Sequence, residues 1–295
     1  SVPMPLWFRD PETESTRLVM APVSLDASIS EDGGFLISIE GEEVAHRLSQ
    51  PFRMVEAAMK SRHGTVPNGL RAGVSTGKVS YSLTRNGLAL SGTTALLLDG
   101  AFTGGPPQAT TLSVVGKDGK LSLPAGFWKT LRAMSSLPQG TRIILPEEAA
   151  DYLTALVVMD DAAFFMKHEV LLASTVDQMC YLASLKTDPE VADGFSRFAE
   201  IRKVGEGKAL GSFVAHPATQ QRLRELIAVM PEHASARMLA LQGSGSRPRF
   251  LQRMVLAHEI RAAIEPAAVL VNTTTNELKS AALDKAHESC RAGLD

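Results

Sequence analysis

Side chains that could hold a phosphate group or a metal ion occur in this sequence, but their spacing falls short of the known motifs. Residues 72–79 are similar to a phosphate-binding loop, yet they lack the first glycine of that motif and the hydroxyl residue that should follow Lys78. His258 and His287 each precede a glutamate, and neither has the second histidine four residues on that a helical zinc site requires. We therefore expect no cofactor and no metal ion.

The composition excludes several classes of protein. The formal net charge of the chain is -2, and aromatic residues make up 5% of it. Such a chain offers neither the basic surface nor the stacking platforms by which nucleic acids are bound. No apolar run approaches the roughly 18 residues that a membrane-spanning helix needs. Two cysteines, Cys180 and Cys290, cannot form a disulfide framework. We expect neither a nucleic acid nor a membrane as partner.

Strand and helix signals alternate in the first part of the chain. Residues 1–16 are polar and contain prolines, so we expect an N-terminal arm. Residues 17–25 and 35–40 are apolar runs on either side of an Asp-Gly-Gly sequence, which predicts an antiparallel hairpin. Residues 50–62 carry apolar side chains three and four positions apart, and this spacing predicts an amphipathic helix.

A second series of elements follows, with local start and stop signals. Residues 91–102 are predicted to form a buried helix with Ser91 as its N-cap. The Lys-Asp-Gly sequence at 117–119 favours a tight turn between two strands, and Thr175 with Gln178 three residues on matches a capping box. The remaining predictions are strands at residues 78–83, 110–115, 120–123, 142–145 and 169–173, and helices at residues 127–134, 147–156 and 176–185.

Strand signals fade after residue 187, and we place a domain boundary there. Residues 188–295 are predicted to be all-α, with proline and glycine separating the helices. Residues 224–236 are similar to the junction between tetratricopeptide-type repeats, where small residues let paired helices approach closely. The sequence has no clean period of about 34 residues, so degenerate repeats and a plain helical-hairpin domain both remain open. The predicted helices lie at residues 191–203, 218–230, 234–241, 250–264 and 276–292.

In their order along the chain, residues 35–185 resemble the proteolytic domain of Lon-type proteases. Ile39-Glu40 matches the Ile-Glu pair on the opening strand, and residues 59–62 match the basic end of the following helix. Residues 142–147 match the element with an Ile-Pro strand end, and residues 173–178 match the entry to the closing helix. The resemblance implies an α+β fold of the Lon-protease type, which belongs to the class of ribosomal protein S5 domain 2-like folds.

The resemblance also implies a serine nucleophile and a lysine base, which act together as a catalytic pair in this family. An ungapped alignment gives Ala89 the position of the serine and Trp128 the position of the lysine. An alanine has no nucleophile, and an indole is no base at neutral pH. In this alignment the catalytic pair is lost.

A shifted alignment makes Ser91 the nucleophile and Lys129 the base instead. The shift needs two independent insertions or deletions. It also turns the apolar face of the helix at residues 127–134 out of phase, because one residue rotates a helix by about 100°. Taken alone, Ser91 is typical of a helix N-cap and Lys129 of a solvated helix position. The phase argument favours the ungapped alignment.

The sequence thus predicts an N-terminal arm at residues 1–16, a Lon-protease-like α+β domain at residues 17–187 and an all-α helical-hairpin domain at residues 188–295. The predicted function is that of a non-catalytic scaffold whose helical half binds protein or peptide. The alternative is an ATP-independent peptidase that uses Ser91 and Lys129.

Overall fold

The computed structural model describes residues 1–9, 16–31, 33–44, 49–77, 88–158 and 162–246, and single helical positions at 260, 264, 284, 286–288, 290 and 291. These residues mix helices with strands, as the α+β expectation requires. The predicted strand at residues 78–83 lies outside the described residues. The predicted helices at residues 250–264 and 276–292 lie largely outside them.

A five-stranded sheet forms the first layer. Its members are β1 (Val2–Arg9), β2 (Thr16–Ile29), β3 (Leu36–Ile39), β4 (Glu42–Glu43) and β5 (Leu70–Ser75), in the order β1-β2-β5-β3-β4. The predicted hairpin between residues 17–25 and 35–40 is wrong, because β5 lies between β2 and β3 and pairs with both of them. The β3–β5 pair is parallel and needs a crossover. Helix α1 (Ser49–His63) stands in that connection.

The expectation of an arm at residues 1–16 is wrong for β1, which pairs antiparallel with β2 along its whole length. Val2, Met4 and Leu6 are buried and alternate along this strand. Pro3 and Pro5 are tolerated because β1 is the edge of its sheet, where a missing amide donor costs no ladder hydrogen bond.

A second sheet contains three parallel strands, β6 (Ala109–Thr111), β9 (Arg142–Pro146) and β10 (Glu169–Ala173), in the order β10-β9-β6. The predicted turn at residues 117–119 is confirmed, since β7 (Val114–Val115) and β8 (Leu121–Ser122) pair antiparallel around it. Asp118 and Gly119 there have φ of 56° and 69°, a backbone region that aspartate and glycine tolerate well.

Helices cover both sheets. Beside α1, the described helices are α2 (Leu90–Thr103), α3 (Phe127–Ala133), α4 (Ala150–Val158), α5 (Ala163–Lys167), α6 (Val176–Ala183), α7 (Pro189–Gly205), α8 (Leu210–Ala215), α9 (Pro217–Val229) and α10 (Ala234–Ser244). The predicted cap of α6 is confirmed, because the Gln178 amide donates to Thr175 Oγ1 at 3.2 Å. No helix in the described part of the chain is long and apolar enough to cross a membrane.

The helices after residue 187 pack directly on the second sheet. The Leu172 amide of β10 donates to Glu232 O at 2.9 Å, and the Val170 amide donates to Ser235 Oγ at 2.8 Å. The edge of β10 is therefore capped by the start of α10. Phe198 and Leu239 belong to the same buried cluster as the strands. The domain boundary at residue 187 stays a prediction.

Candidate functional site

The start of α2 is where the resemblance places a nucleophile. Ala89 occupies the N-cap position there and is 1% exposed. Its φ and ψ of -66° and -26° are already helical, whereas a capping residue has an extended backbone. The side chain at this point is a buried methyl group and has no reactive atom.

Ser91 lies one residue inside α2 and is 0% exposed. Its Oγ donates to Leu88 O at 2.5 Å and accepts from the Val115 amide at 3.0 Å. The prediction that Ser91 is the N-cap of this helix is wrong, because the hydroxyl points across to the β7–β8 hairpin rather than to the first turn. It supports the hairpin by satisfying a buried amide.

The first amides of α2 are also engaged. The Ser91 amide donates to Leu88 O at 3.1 Å, and the Gly92 amide donates to Ser113 O at 3.3 Å. Contact with Ser113 is so close that a Cβ on Gly92 would lie 2.1 Å from Ser113 Oγ. An oxyanion hole needs backbone donors aimed at an accessible point. At Ser91 and Gly92 those donors are bonded to carbonyl groups of the chain itself.

Helix α3 carries the other two predicted site residues. Gly126 precedes it with φ of 64°. Trp128 is half-buried, and its ring lies 6.3 Å from that of Tyr152 between centroids. Lys129 is exposed. The hydrogen bonds of Ser91 Oγ within the described residues go to Leu88 and Val115, so the structure does not join Ser91 to Lys129.

A polar cluster lies at the ends of β3 and β5 and was not predicted from the sequence, where Glu40 served only as part of an Ile-Glu pair. Glu40 has a positive φ of 51°. Its Oε1 accepts from the Thr76 amide at 2.6 Å, and its Oε2 accepts from Ser75 Oγ at 3.1 Å. Burial opposes the charged form, but the hydrogen bonds from Thr76 and Ser75 outweigh it, so the pKa of Glu40 is lowered. The cluster anchors the point where the chain leaves β5 toward α2.

A second missed cluster lies between α1, α2 and α6. Asp99 Oδ1 accepts from Arg62 Nε at 2.6 Å and from His63 Nε2 at 2.8 Å, and Arg62 also pairs with Asp177. Cys180 is nearby and 0% exposed, and burial raises the pKa of its thiol well above the ordinary value. Cys180 is thus a thiol of the hydrophobic core. Through these contacts, Arg62, His63 and Asp99 join α1 to α2, and Asp177 joins them to α6.

No protein-family model matches the chain, and no curated protein matches it. Within the described residues, no group of three or more histidine, cysteine, aspartate or glutamate side chains is arranged to hold a metal ion.

Proposed function

We propose that the chain is a non-catalytic scaffold that binds protein or peptide, built on a Lon-protease-like domain that has lost its catalytic pair. The order of elements from β3 to α6 supports this proposal. An opening strand, a helix, a strand, a buried helix, a hairpin, a short helix, two parallel strands and a closing helix occur in the order that the resemblance implies, with β4, β6, α4 and α5 between them.

The observation that carries the proposal is the closed start of α2. Ala89 supplies a buried methyl group where the family has its nucleophile, and the Ser91 hydroxyl is held by Leu88 and Val115. Acyl transfer needs an exposed nucleophile beside a base, together with free donors for the oxyanion. Each of these needs is unmet at Ala89, Ser91 and Gly92.

Binding is assigned to the helical half because, besides capping β10, it adds exposed surface to the protein. Helices α7 to α10 are joined by short connections and contact one another, and stacked helical hairpins leave concave faces suited to a peptide. The apolar side chains of Leu223, Leu226 and Met230 are buried in the same cluster as the strands, so these helices are firmly packed behind that surface.

Labelling with a serine-reactive fluorophosphonate, together with degradation of an unfolded casein substrate, tests the loss of catalysis. We expect no labelling and no cleavage by the full chain. Ser91→Ala and Ser135→Ala, which changes an exposed serine, should behave alike. Labelling that Ser91→Ala abolishes and Ser135→Ala preserves would instead establish the peptidase that uses Ser91 and Lys129.

A further inference from the structure

A concave site of about 540 Å³ opens between the end of α7, helix α8 and the start of α9. Its volume falls within the range of about 300–1,000 Å³ that is typical of ligand pockets. The site combines apolar walls with three nitrogen-bearing side chains. Its lining includes Val204, Lys208, Ser212, Phe213, His216 and Arg222.

The charge of this site is of one sign. Lys208 and Arg222 are exposed, and the residues that line the site include no aspartate or glutamate. In the described part of the chain, neither cation forms an ion pair; the contact of Lys208 Nζ is with the face of Phe213, 5.5 Å from the ring centroid. Two positive charges therefore face the same hollow, and no acidic side chain is among the described residues that line it.

His216 adds a third donor. It precedes α9, and its Nδ1 accepts from the Ala218 amide at 3.2 Å. A neutral imidazole that accepts at one nitrogen carries its proton on the other. The Nε2–H group of His216 is thus the one that can donate, and His216 lines the same hollow as Lys208 and Arg222.

The apolar part of the site lies beside these donors. Phe213 forms a largely buried floor at 7% exposure, whereas Val204 is 42% exposed. Covering an exposed valine with an apolar side chain lowers the free energy, because apolar surface is removed from water. The hollow thus pairs an apolar position with a cationic one.

We propose that this site binds an acidic peptide segment, with a carboxylate between Lys208, His216 and Arg222 and a neighbouring aliphatic side chain over Val204 and Phe213. The inference rests on the proposed function and names the class of partner that the helical half takes. A peptide fits better than a nucleic acid, because the Phe213 ring is only 7% exposed and leaves room for one small apolar contact rather than for stacked bases.

Fluorescence anisotropy with the full chain tests the proposal. The probe is a labelled hexapeptide that alternates glutamate with leucine, called the acidic peptide. The control, called the glutamine peptide, has glutamine in place of every glutamate. We expect the acidic peptide to bind and the glutamine peptide to bind about tenfold more weakly, since two exposed charge contacts are each worth up to about 1 kcal/mol. Added salt should weaken the binding of the acidic peptide.

A matched pair of double variants locates the site. Lys208→Gln with Arg222→Gln should weaken binding of the acidic peptide about tenfold. Lys203→Gln with Arg224→Gln removes the same charge from positions close by in sequence that do not line the hollow, and it should leave the affinity within about twofold.

Several results would overturn the inference. The first is that the acidic peptide does not bind, or binds no more tightly than the glutamine peptide. The second is that both double variants lose the same affinity for the acidic peptide. The third is that single-stranded RNA or inorganic phosphate, at the peptide's own concentration, displaces the peptide fully. None of these results bears on catalysis. Cleavage of the bound peptide, read by mass spectrometry, would overturn the proposed scaffold function and leave the acidic site standing.

Discussion

Arg142 of β9 lies with its guanidinium carbon 3.3 Å from the centre of the Phe195 ring of α7. Its Nε also donates to Glu169 Oε2 of β10 at 2.7 Å, and its Nη1 donates to Leu182 O at 3.3 Å. Glu169 faces His233 Nε2 at 3.5 Å on its other side. One guanidinium therefore ties two parallel strands to α6 and to a helix that follows residue 187.

Replacing Glu169 tests this connection. Burial opposes its charge, but His233 and Arg142 outweigh that effect and lower the pKa of Glu169, so the carboxylate is ionised at neutral pH. Glu169→Gln leaves the Arg142 charge buried without its partner, and we expect it to lower the free energy of unfolding by about 3 kcal/mol. Urea unfolding at neutral pH measures the loss.

Arg197→Gln is the control for that experiment. It breaks the Arg197–Asp193 pair, whose side chains are 44% and 51% exposed. An exposed pair of this spacing on a helix is worth about 0.5 kcal/mol or less. Equal losses in Glu169→Gln and Arg197→Gln would show that the buried connection contributes no more than a surface ion pair.

The buried side chain of His168 should make the free energy of unfolding depend on pH. Its ring is 0% exposed; burial, with repulsion from Lys167 and Arg202, lowers its pKa from 6.5 to about 4. Between these two values the unfolded chain binds more protons, so stability falls as the pH falls through that window. We expect a loss of about 2 kcal/mol between pH 7 and pH 5 from this residue.

Urea unfolding of the protein and of His168→Leu at both pH values measures that contribution. Leucine cannot titrate, so the variant should lose about 2 kcal/mol less than the natural chain over the same interval. The comparison removes the contribution of carboxylates such as Glu169, which both proteins share. Parallel losses in the two proteins would contradict the assignment to His168.

Two glycines in helices should respond to alanine in opposite directions. A Cβ on Gly92 of α2 would lie 2.1 Å from Ser113 Oγ and 2.6 Å from Ser113 O. Gly92→Ala should therefore lower the free energy of unfolding by about 1–3 kcal/mol. A Cβ on Gly211 of α8 meets nothing within 4 Å among the described residues. Gly211→Ala should raise stability by up to about 1 kcal/mol.

Thermal unfolding of both glycine variants measures these changes. Equal changes in Gly92→Ala and Gly211→Ala would contradict the close contact between Gly92 of α2 and Ser113.

The hydroxyl of Ser91 is expected to matter for stability. Ser91→Ala leaves the buried Val115 amide without its acceptor. We expect a loss of about 1–3 kcal/mol in the free energy of unfolding. Ser135→Ala removes an exposed hydroxyl that bonds to Arg132 O and should change stability by about 0.5 kcal/mol or less. A neutral Ser91→Ala would contradict the structural role of Ser91.

Several elements with local signals were predicted well from the sequence, although the Asp-Gly-Gly hairpin and the Ser91 cap were not. Helix α6 begins at the capping Thr175, and the β7–β8 hairpin turns at Asp118 and Gly119. In each case the residues that determine the structure lie within a few positions of one another. The buried face of α3, with Phe127 and Leu131, follows in the same way from its spacing.

Elements that depend on distant partners were not predicted. The separation of β2 from β3 is set by β5, which pairs with both and is reached only through α1. Strand β1 shows the alternation of Val2, Met4 and Leu6, but its prolines hid that signal, because prolines are acceptable only when the strand is known to be an edge.

The candidate site was predicted only in part, for the same reason. The position of Ala89 at the start of α2 follows from sequence order. The hydrogen-bond partner of Ser91, Val115, lies 24 residues away. The hollow between α7, α8 and α9 brings together Lys208, His216 and Arg222 from three different segments. No local pattern carries such groupings.

The capped edge of β10 has a consequence for how the chain is made. The Val170 amide finds its acceptor, Ser235, 65 residues later in the sequence. A ribosome therefore delivers the strand well before it delivers the residues that cover it. During that interval the nascent sheet presents unpaired amides to any other extended chain nearby. Protection from mispairing arrives only with the late helices, so premature termination would release a chain whose sheet edge is still open.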